Sequence, residues 1–204
     1  NFYFYCPKED INHRHKWKEQ YSIKWLKNFS KFNRYASEKN IKVIAGISPG
    51  LDFNFKSYVE GNKEELNLLI KKFNTFLSFG VAYVAILFDD IPNEFKFFVK
   101  NKAEGEIHGR IINETIKELS SPIFAVPRIY SDELNIENKN YLNDFFKTVN
   151  KNVQIFFTGK HIVSKTFSSN HKIIIQKIKE NKIINWDNYY ANDYCPKKFF
   201  IGPW

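Results

Sequence analysis

Residues 83–90 read Tyr-Val-Ala-Ile-Leu-Phe-Asp-Asp: an unbroken apolar and aromatic run, then two adjacent carboxylates. Such a run reads as a strand covered on both faces, as in a parallel sheet. Parallel α/β folds keep their chemistry at the carboxyl ends of these strands, which is where Asp89 and Asp90 fall. Two neighbouring carboxylates repel, so one of them is expected to hold its proton to higher pH. A proton donor beside a permanent anion is an acid/base arrangement. The same dipeptide also fits a solvated turn, a helix N-cap or half of a magnesium site.

Further strand candidates occur on both sides, at 2–6, 41–47, 122–126, 153–157 and 182–186. Helical patterns lie between them. Ser22 is placed to cap a helix whose inner face carries Trp25, Phe29, Phe32 and Ala36. Asn62 and Glu65 stand at capping-box spacing before a stripe of Leu66, Leu69, Ile70, Phe73, Phe76 and Leu77, and Gly80 supplies the stop. Ile111, Ile112, Thr115, Ile116 and Leu119 form another stripe. Ser168 or Ser169 opens a third, with Ile174, Ile175 and Ile178 inward. The polar stretch 131–140 reads as a long loop.

Strands alternating with helices, with no hairpin signal, specify a parallel sheet with right-handed crossovers. Strand starts fall roughly 30–40 residues apart, the repeat of a (β/α)8 TIM barrel. The expected fold is therefore an α/β barrel, incomplete in this chain, with about six of its eight units present. An open doubly wound sheet is the alternative, but no Gly-rich phosphate loop follows any strand. No linker or composition shift divides residues 1–204, which read as one domain.

The 204 residues can bury a substantial core, and 18% aromatic content excludes a disordered chain. No apolar run reaches membrane-spanning length, and the first residues carry no signal-peptide pattern. Methionine is absent even at position 1, so the chain is expected to be a piece of a longer protein. Cys6 and Cys195 are the only cysteines, which fits a reducing compartment and makes no metal motif. The net charge of +9 invites a nucleic-acid partner. The basic residues are instead spread along the whole chain, without a nucleic-acid module, so neither nucleic acid nor membrane is expected.

Polar residues gather where the strands end. Lys8 follows the first strand, Ser48 closes the second, and Asp89 and Asp90 end the third. Tyr130 follows the fourth, and Thr158 and Gly159 the fifth. Trp186, Asp187 and Asn188 end the sixth, with Asn192 and Asp193 just beyond. In a barrel these ends share one rim and converge on one pocket. An indole for an apolar sugar face, amides and carboxylates for hydroxyls, and a carboxylate pair for bond cleavage suit a polyhydroxylated ligand.

Several stretches, taken together and in order, carry a family resemblance. They are Tyr-Cys-Pro-Lys-Glu-Asp at 5–10 with His13, Arg14 and Trp17, Ile-Ser-Pro-Gly-Leu-Asp at 47–52 and Leu-Phe-Asp-Asp-Ile at 87–91. Thr-Gly at 158–159 with Val-Ser-Lys at 163–165, Trp-Asp-Asn-Tyr-Tyr-Ala-Asn-Asp-Tyr at 186–194 and Phe-Ile-Gly-Pro at 200–203 complete the set. The chain resembles the O-GlcNAcase and hyaluronidase-like family of retaining β-N-acetylglucosaminidases. That resemblance implies a barrel and a substrate-assisted mechanism, in which the substrate's acetamido oxygen attacks the anomeric carbon. It implies that Asp89 orients and polarises the acetamido group and that Asp90 protonates the leaving oxygen, then serves as base. Lys8 would bind sugar hydroxyls, Tyr130 and Asn188 would meet the acetamido region, Asp193 would hold O4 and O6, and Trp186 would line the pocket. It implies no metal and no cofactor. Substrates would be O-GlcNAc-modified proteins or other N-acetylglucosaminides, acted on in the cytoplasm or nucleus. A homodimer would form through regions outside this chain, as would the family's first and last barrel strands.

The chain departs from the family at Phe157, where tryptophan is usual, and at Arg128 and Ile129, where Thr-Glu is usual. These departures keep open a glycan-binding relative without turnover. A hydrolase of another class, using Asp89 and Asp90 with magnesium, is a further reading that a chelator would reveal. His13 and His15 read as surface or loop-packing residues, and His108, His161 and His171 as structural or exposed ones. Cys6 and Cys195 read as packed thiols, and Trp17 and Trp25 as core aromatics.

Overall fold

The computed structural model describes residues 1–91, 103–119, 121–136, 138, 140–164 and 182–188. The strands are β1 (Phe2–Tyr5), β2 (Lys42–Ile47), β3 (Tyr83–Leu87), β4 (Ile123–Val126), β5 (Gln154–Phe157) and β6 (Lys182–Asn185). The helices are α1 (Ile23–Glu38), α2 (Phe55–Val59), α3 (Glu64–Ser78), α4 (Glu104–Leu119), α5 (Asp132–Asn135) and α6 (Tyr141–Thr148). All six strands are parallel and lie in chain order, β1-β2-β3-β4-β5-β6. A doubly wound sheet would reverse its order at a switch point. Here every crossover steps one strand in the same direction, which is the barrel pattern.

The sheet curls. Phe4 on β1 stacks on Phe156 of β5 with centroids 5.0 Å apart. In a flat sheet, strands four places apart would be separated by about 19 Å. Side chains of one alternation, among them Phe4, Ile44, Ala85, Leu87, Phe124, Val126 and Phe156, fill this concave interior. The opposite alternation, including Val43, Val84, Ile86, Phe88, Ile123 and Ile155, packs under the helices in the larger core. Gly46 makes the tight curl possible, because a Cβ there would come within 2.6 Å of Leu87 Cδ1 and 3.0 Å of Phe4.

The helices follow the sequence patterns with informative shifts. Ser22 caps α1, accepting from Trp25 N. The face that α1 buries carries Leu26, Phe29, Asn33 and Ala36, while Phe32 is exposed. The stripe is thus turned by about one residue from the expected one. Gly80, at φ +90°, ends α3 as expected. The capping box does not form: Lys63 is the N-cap, and Glu65 reaches instead to Asn54 N and Lys18. Asn62 still accepts from Glu64 N at 2.8 Å, satisfying one terminal donor. The stretch 131–140 is not purely loop, since Ser131 caps the short helix α5. Residues 168–178, where a helix is expected, lie outside the described residues.

Candidate active site

Asp89 continues the inward alternation of Tyr83, Ala85 and Leu87, so its carboxyl turns toward the barrel interior. It is 8% exposed, and its Oδ1 is buried with no hydrogen-bond partner among the described residues. Burial first, and the charge of Asp90 second, raise its pKa to about 6, against the pull of Lys8 and Arg14. The expectation that one of the two carboxyls holds its proton is met by Asp89.

Asp90 breaks the strand alternation. Its φ of +55° is a left-handed conformation that costs a non-glycine residue on the order of 1 kcal/mol or more. The break carries its side chain to the rim, where it is partly exposed. Lys8 Nζ donates to Asp90 Oδ2 at 2.5 Å. Arg14 Nη2 donates to the Asp90 backbone carbonyl at 2.6 Å, and Nη1 lies 3.7 Å from Oδ2. The two carboxylates therefore differ in kind: one is buried with its pKa pushed up to about 6, the other is gripped by two cations. Among the described residues, no group of three or more His, Cys, Asp or Glu is placed to hold a metal ion.

The far wall is aromatic. Tyr130 and Trp186 face each other at 5.9 Å, and Trp186 meets Phe156 edge-on at 6.0 Å. Both join Cys6 and Leu87 in the inner cluster. Thr158 fixes the Tyr130 backbone by donating from N at 2.8 Å and from Oγ1 at 3.1 Å to its carbonyl. Asn188 donates to the Ile162 carbonyl at 3.2 Å. The structure thus places Lys8, Asp89, Asp90, Tyr130, Trp186 and Asn188 at the carboxyl ends of β1, β3, β4 and β6. Asp193, Asn192 and Cys195 lie outside the described residues.

Both departures from the family point away from this pocket. Phe157 is 3% exposed and belongs to the core between sheet and helices. The Arg128 guanidinium forks onto the Glu104 carboxylate and reaches Asn138 at 3.1 Å. Two residues that composition left anonymous do reach the site. Arg14 grips Asp90, and Cys6 lies beside Asp89, whose charge adds to burial in raising the thiol to about 12. Arg14 stands within a quoted motif, but nothing in the sequence ties it to Asp90, 76 residues away.

A curled parallel sheet whose strands step round in chain order, with an unequal carboxylate pair at the end of the third strand, defines an α/β-barrel protein. The chain belongs to the beta-N-acetylglucosaminidase family, whose model matches residues 1–204. It is 31% identical to Protein O-GlcNAcase of Mus musculus and 30% identical to that of Rattus norvegicus, each over 211 aligned residues. Those alignments cover all of this chain but 22% of each relative. Among solved structures, CpGH84B superposes with a TM-score of 0.84 at 28% identity, over 98% of this chain and 35% of that one. A point mutant of the Thermobaculum terrenum O-GlcNAc hydrolase gives 0.82 at 29% identity, over 95% of this chain and 42% of its own.

Proposed function

We propose that this chain forms the carboxylate-bearing part of a retaining glycoside hydrolase that removes β-linked N-acetylglucosamine from serine and threonine side chains of proteins. The observation that carries this reading is the inequality of the pair. A buried carboxyl with an unpartnered oxygen suits the acetamido N–H of a bound sugar. A rim carboxyl suits the glycosidic oxygen. Lys8 is 62% exposed at its side chain, so it can exchange Asp90 for sugar hydroxyls when substrate enters.

Asp89, its pKa pushed up to about 6, carries a proton in the fraction of molecules that enters the reaction. Substrate gives Asp89 an N–H to accept, which favours its ionised form, and draws Lys8 away from Asp90, so the proton passes to Asp90. The acetamido oxygen attacks the anomeric carbon while Asp90 gives that proton to the leaving oxygen, and an oxazoline ring closes. Water then attacks the same carbon, Asp90 takes its proton, and the ring opens with retention. Tyr130 and Asn188 serve the acetamido region, Trp186 lines the pocket, and Asp193 holds O4 and O6. The protein would act in the cytoplasm or nucleus.

The test uses the complete protein and aryl N-acylglucosaminides whose acyl group carries successive fluorines. Participation by the acyl oxygen requires the rate to fall steeply with each fluorine, with a β-configured first product. A flat series overturns the substrate-assisted mechanism. Binding without turnover would support a glycan-binding relative, and loss of activity on chelation a metal hydrolase.

A further inference from the structure

We infer that Arg14 is a positioning residue that holds the backbone turn at Asp90 and thereby aims its carboxyl. This rests on the proposed role of Asp90 as proton donor. Arg14 is unlike Lys8 in two ways. Its side chain is only 12% exposed, against 62% for Lys8. Its best hydrogen bond, at 2.6 Å, goes to the Asp90 carbonyl and not to the carboxylate. A donor on that carbonyl fixes the peptide that follows Asp90. Phe88 N, donating to the Val126 carbonyl at 2.9 Å, anchors the chain just before, so the two anchors together hold the positive-φ conformation that takes the side chain off the strand and onto the rim.

The loop that carries Arg14 is itself held from both sides. His13 contacts the Gly46 carbonyl through Nδ1 at 2.8 Å, and its own carbonyl accepts from Ser48 N at 2.9 Å. The Lys72 ammonium donates to the carbonyls of Asn12, Trp17 and Glu19 at 2.6–2.7 Å. A guanidinium on so fixed a base is a rigid strut, whereas the exposed lysine is an exchangeable contact. The two cations on Asp90 thus divide their work: Lys8 moves with the ligand, and Arg14 keeps the acid in place.

The test makes Arg14→Ala and Arg14→Lys in the complete protein, alone and with Asp90→Ala. On an alkyl glycoside, Arg14→Ala should lower kcat about 100-fold with KM changed by less than about threefold. On a glycoside of a very acidic phenol the loss should be below about tenfold, because protonation matters less there. With Asp90 already removed, Arg14→Ala should cost less than about threefold. Arg14→Lys keeps the charge but not the fork, and should fall about tenfold short of the parent. Equal losses in both backgrounds, equal losses on both leaving groups, or a fully active Arg14→Lys would each overturn the inference. A crystal structure of the variant gives a readout that does not depend on turnover. Asp90 should leave positive φ, and an unchanged Asp90 would overturn the inference even if the parent proved inactive on every N-acetylglucosaminide. That inactivity would sink the proposed function alone. If Arg14→Ala does not fold, Arg14→Lys carries both readouts.

Discussion

The ring of Phe88 lies flat on the imidazole of His108, centroids 3.9 Å apart and planes within 4°. Phe88 immediately precedes Asp89, so this stack forms the floor behind the carboxylate pair. Behind it runs a buried chain of polar groups. Arg128 N donates to the Tyr141 hydroxyl at 2.9 Å, and that hydroxyl is hydrogen-bonded to His108 Nδ1 at 2.8 Å. Burial keeps His108 neutral on this hydroxyl.

Acid should loosen this floor. Burial, aided by the charge of Arg128, lowers the His108 pKa well below its ordinary value. His13 is lowered too, chiefly by burial. At these two groups the unfolded chain binds more protons than the folded one below about pH 6.5, so their contribution to stability is complete above that pH and is lost as pH falls. Each group contributes at most about 1.4 kcal/mol per pH unit. Urea unfolding of the complete protein at pH 7.5 and 5.5 should show the loss, and His108→Gln should show less of it. An identical pH dependence in the variant would mean that His108 does not titrate below its normal range.

Lys72 should be a large contributor to stability despite its charge. It is 1% exposed, and burial lowers its pKa to about 8 although Asp10 and Glu19 pull the other way. Three carbonyl acceptors need three hydrogens, which only the ammonium has. Lys72→Met should leave those carbonyls without a donor and cost about 3 kcal/mol or more. The exposed neighbour Lys71, changed to Met, should cost less than about 0.5 kcal/mol. Matching urea midpoints for the two variants would remove Lys72 from this role.

The fold was legible in the sequence because buried parallel strands leave apolar runs, and each of the runs at 2–6, 41–47, 83–88, 122–126, 153–157 and 182–186 coincides with a strand. The carboxylate pair was legible for the same reason, as charge ending such a run. Lys72 was not, because a lysine at a core position is indistinguishable by pattern from one on a solvated face; its partners are loop carbonyls, which carry no sequence signal. The Arg128–Glu104 pair hid likewise, since the two lie 24 residues apart and neither completes a motif. The 8-residue helix 141–148 left no such signal, because it is short and follows directly on a polar stretch.

Asp89 should weaken the fold that it serves. With a folded pKa of about 6 against an ordinary 3.8, the folded chain binds the proton more tightly, so stability falls as pH rises from about 4 to 6. Asp89→Asn removes the buried charge. It should raise stability at pH 7.5 by about 1–3 kcal/mol and remove that part of the pH dependence. A variant less stable than the parent at pH 7.5 would show that the ionised carboxylate is compensated within the fold.

The two carboxylates should also separate by leaving group. Asp89 turns inward and Asp90 sits on the rim at positive φ, so they cannot substitute for one another. If Asp90 is the acid, Asp90→Ala should cripple cleavage of an alkyl glycoside, whose oxygen must be protonated as the bond breaks, by on the order of 100- to 10,000-fold. Loss on a glycoside of a very acidic phenol should be far smaller. Asp89 acts on the acetamido group, so Asp89→Ala should slow both wherever attack by that group limits the rate. The measurement is kcat/KM for both variants of the complete protein across phenols and alcohols of graded acidity. A flat dependence for Asp90→Ala with a steep one for Asp89→Ala would exchange the two roles. Equal losses for both across the series would point to a shared role such as binding a metal, and a chelator would then decide.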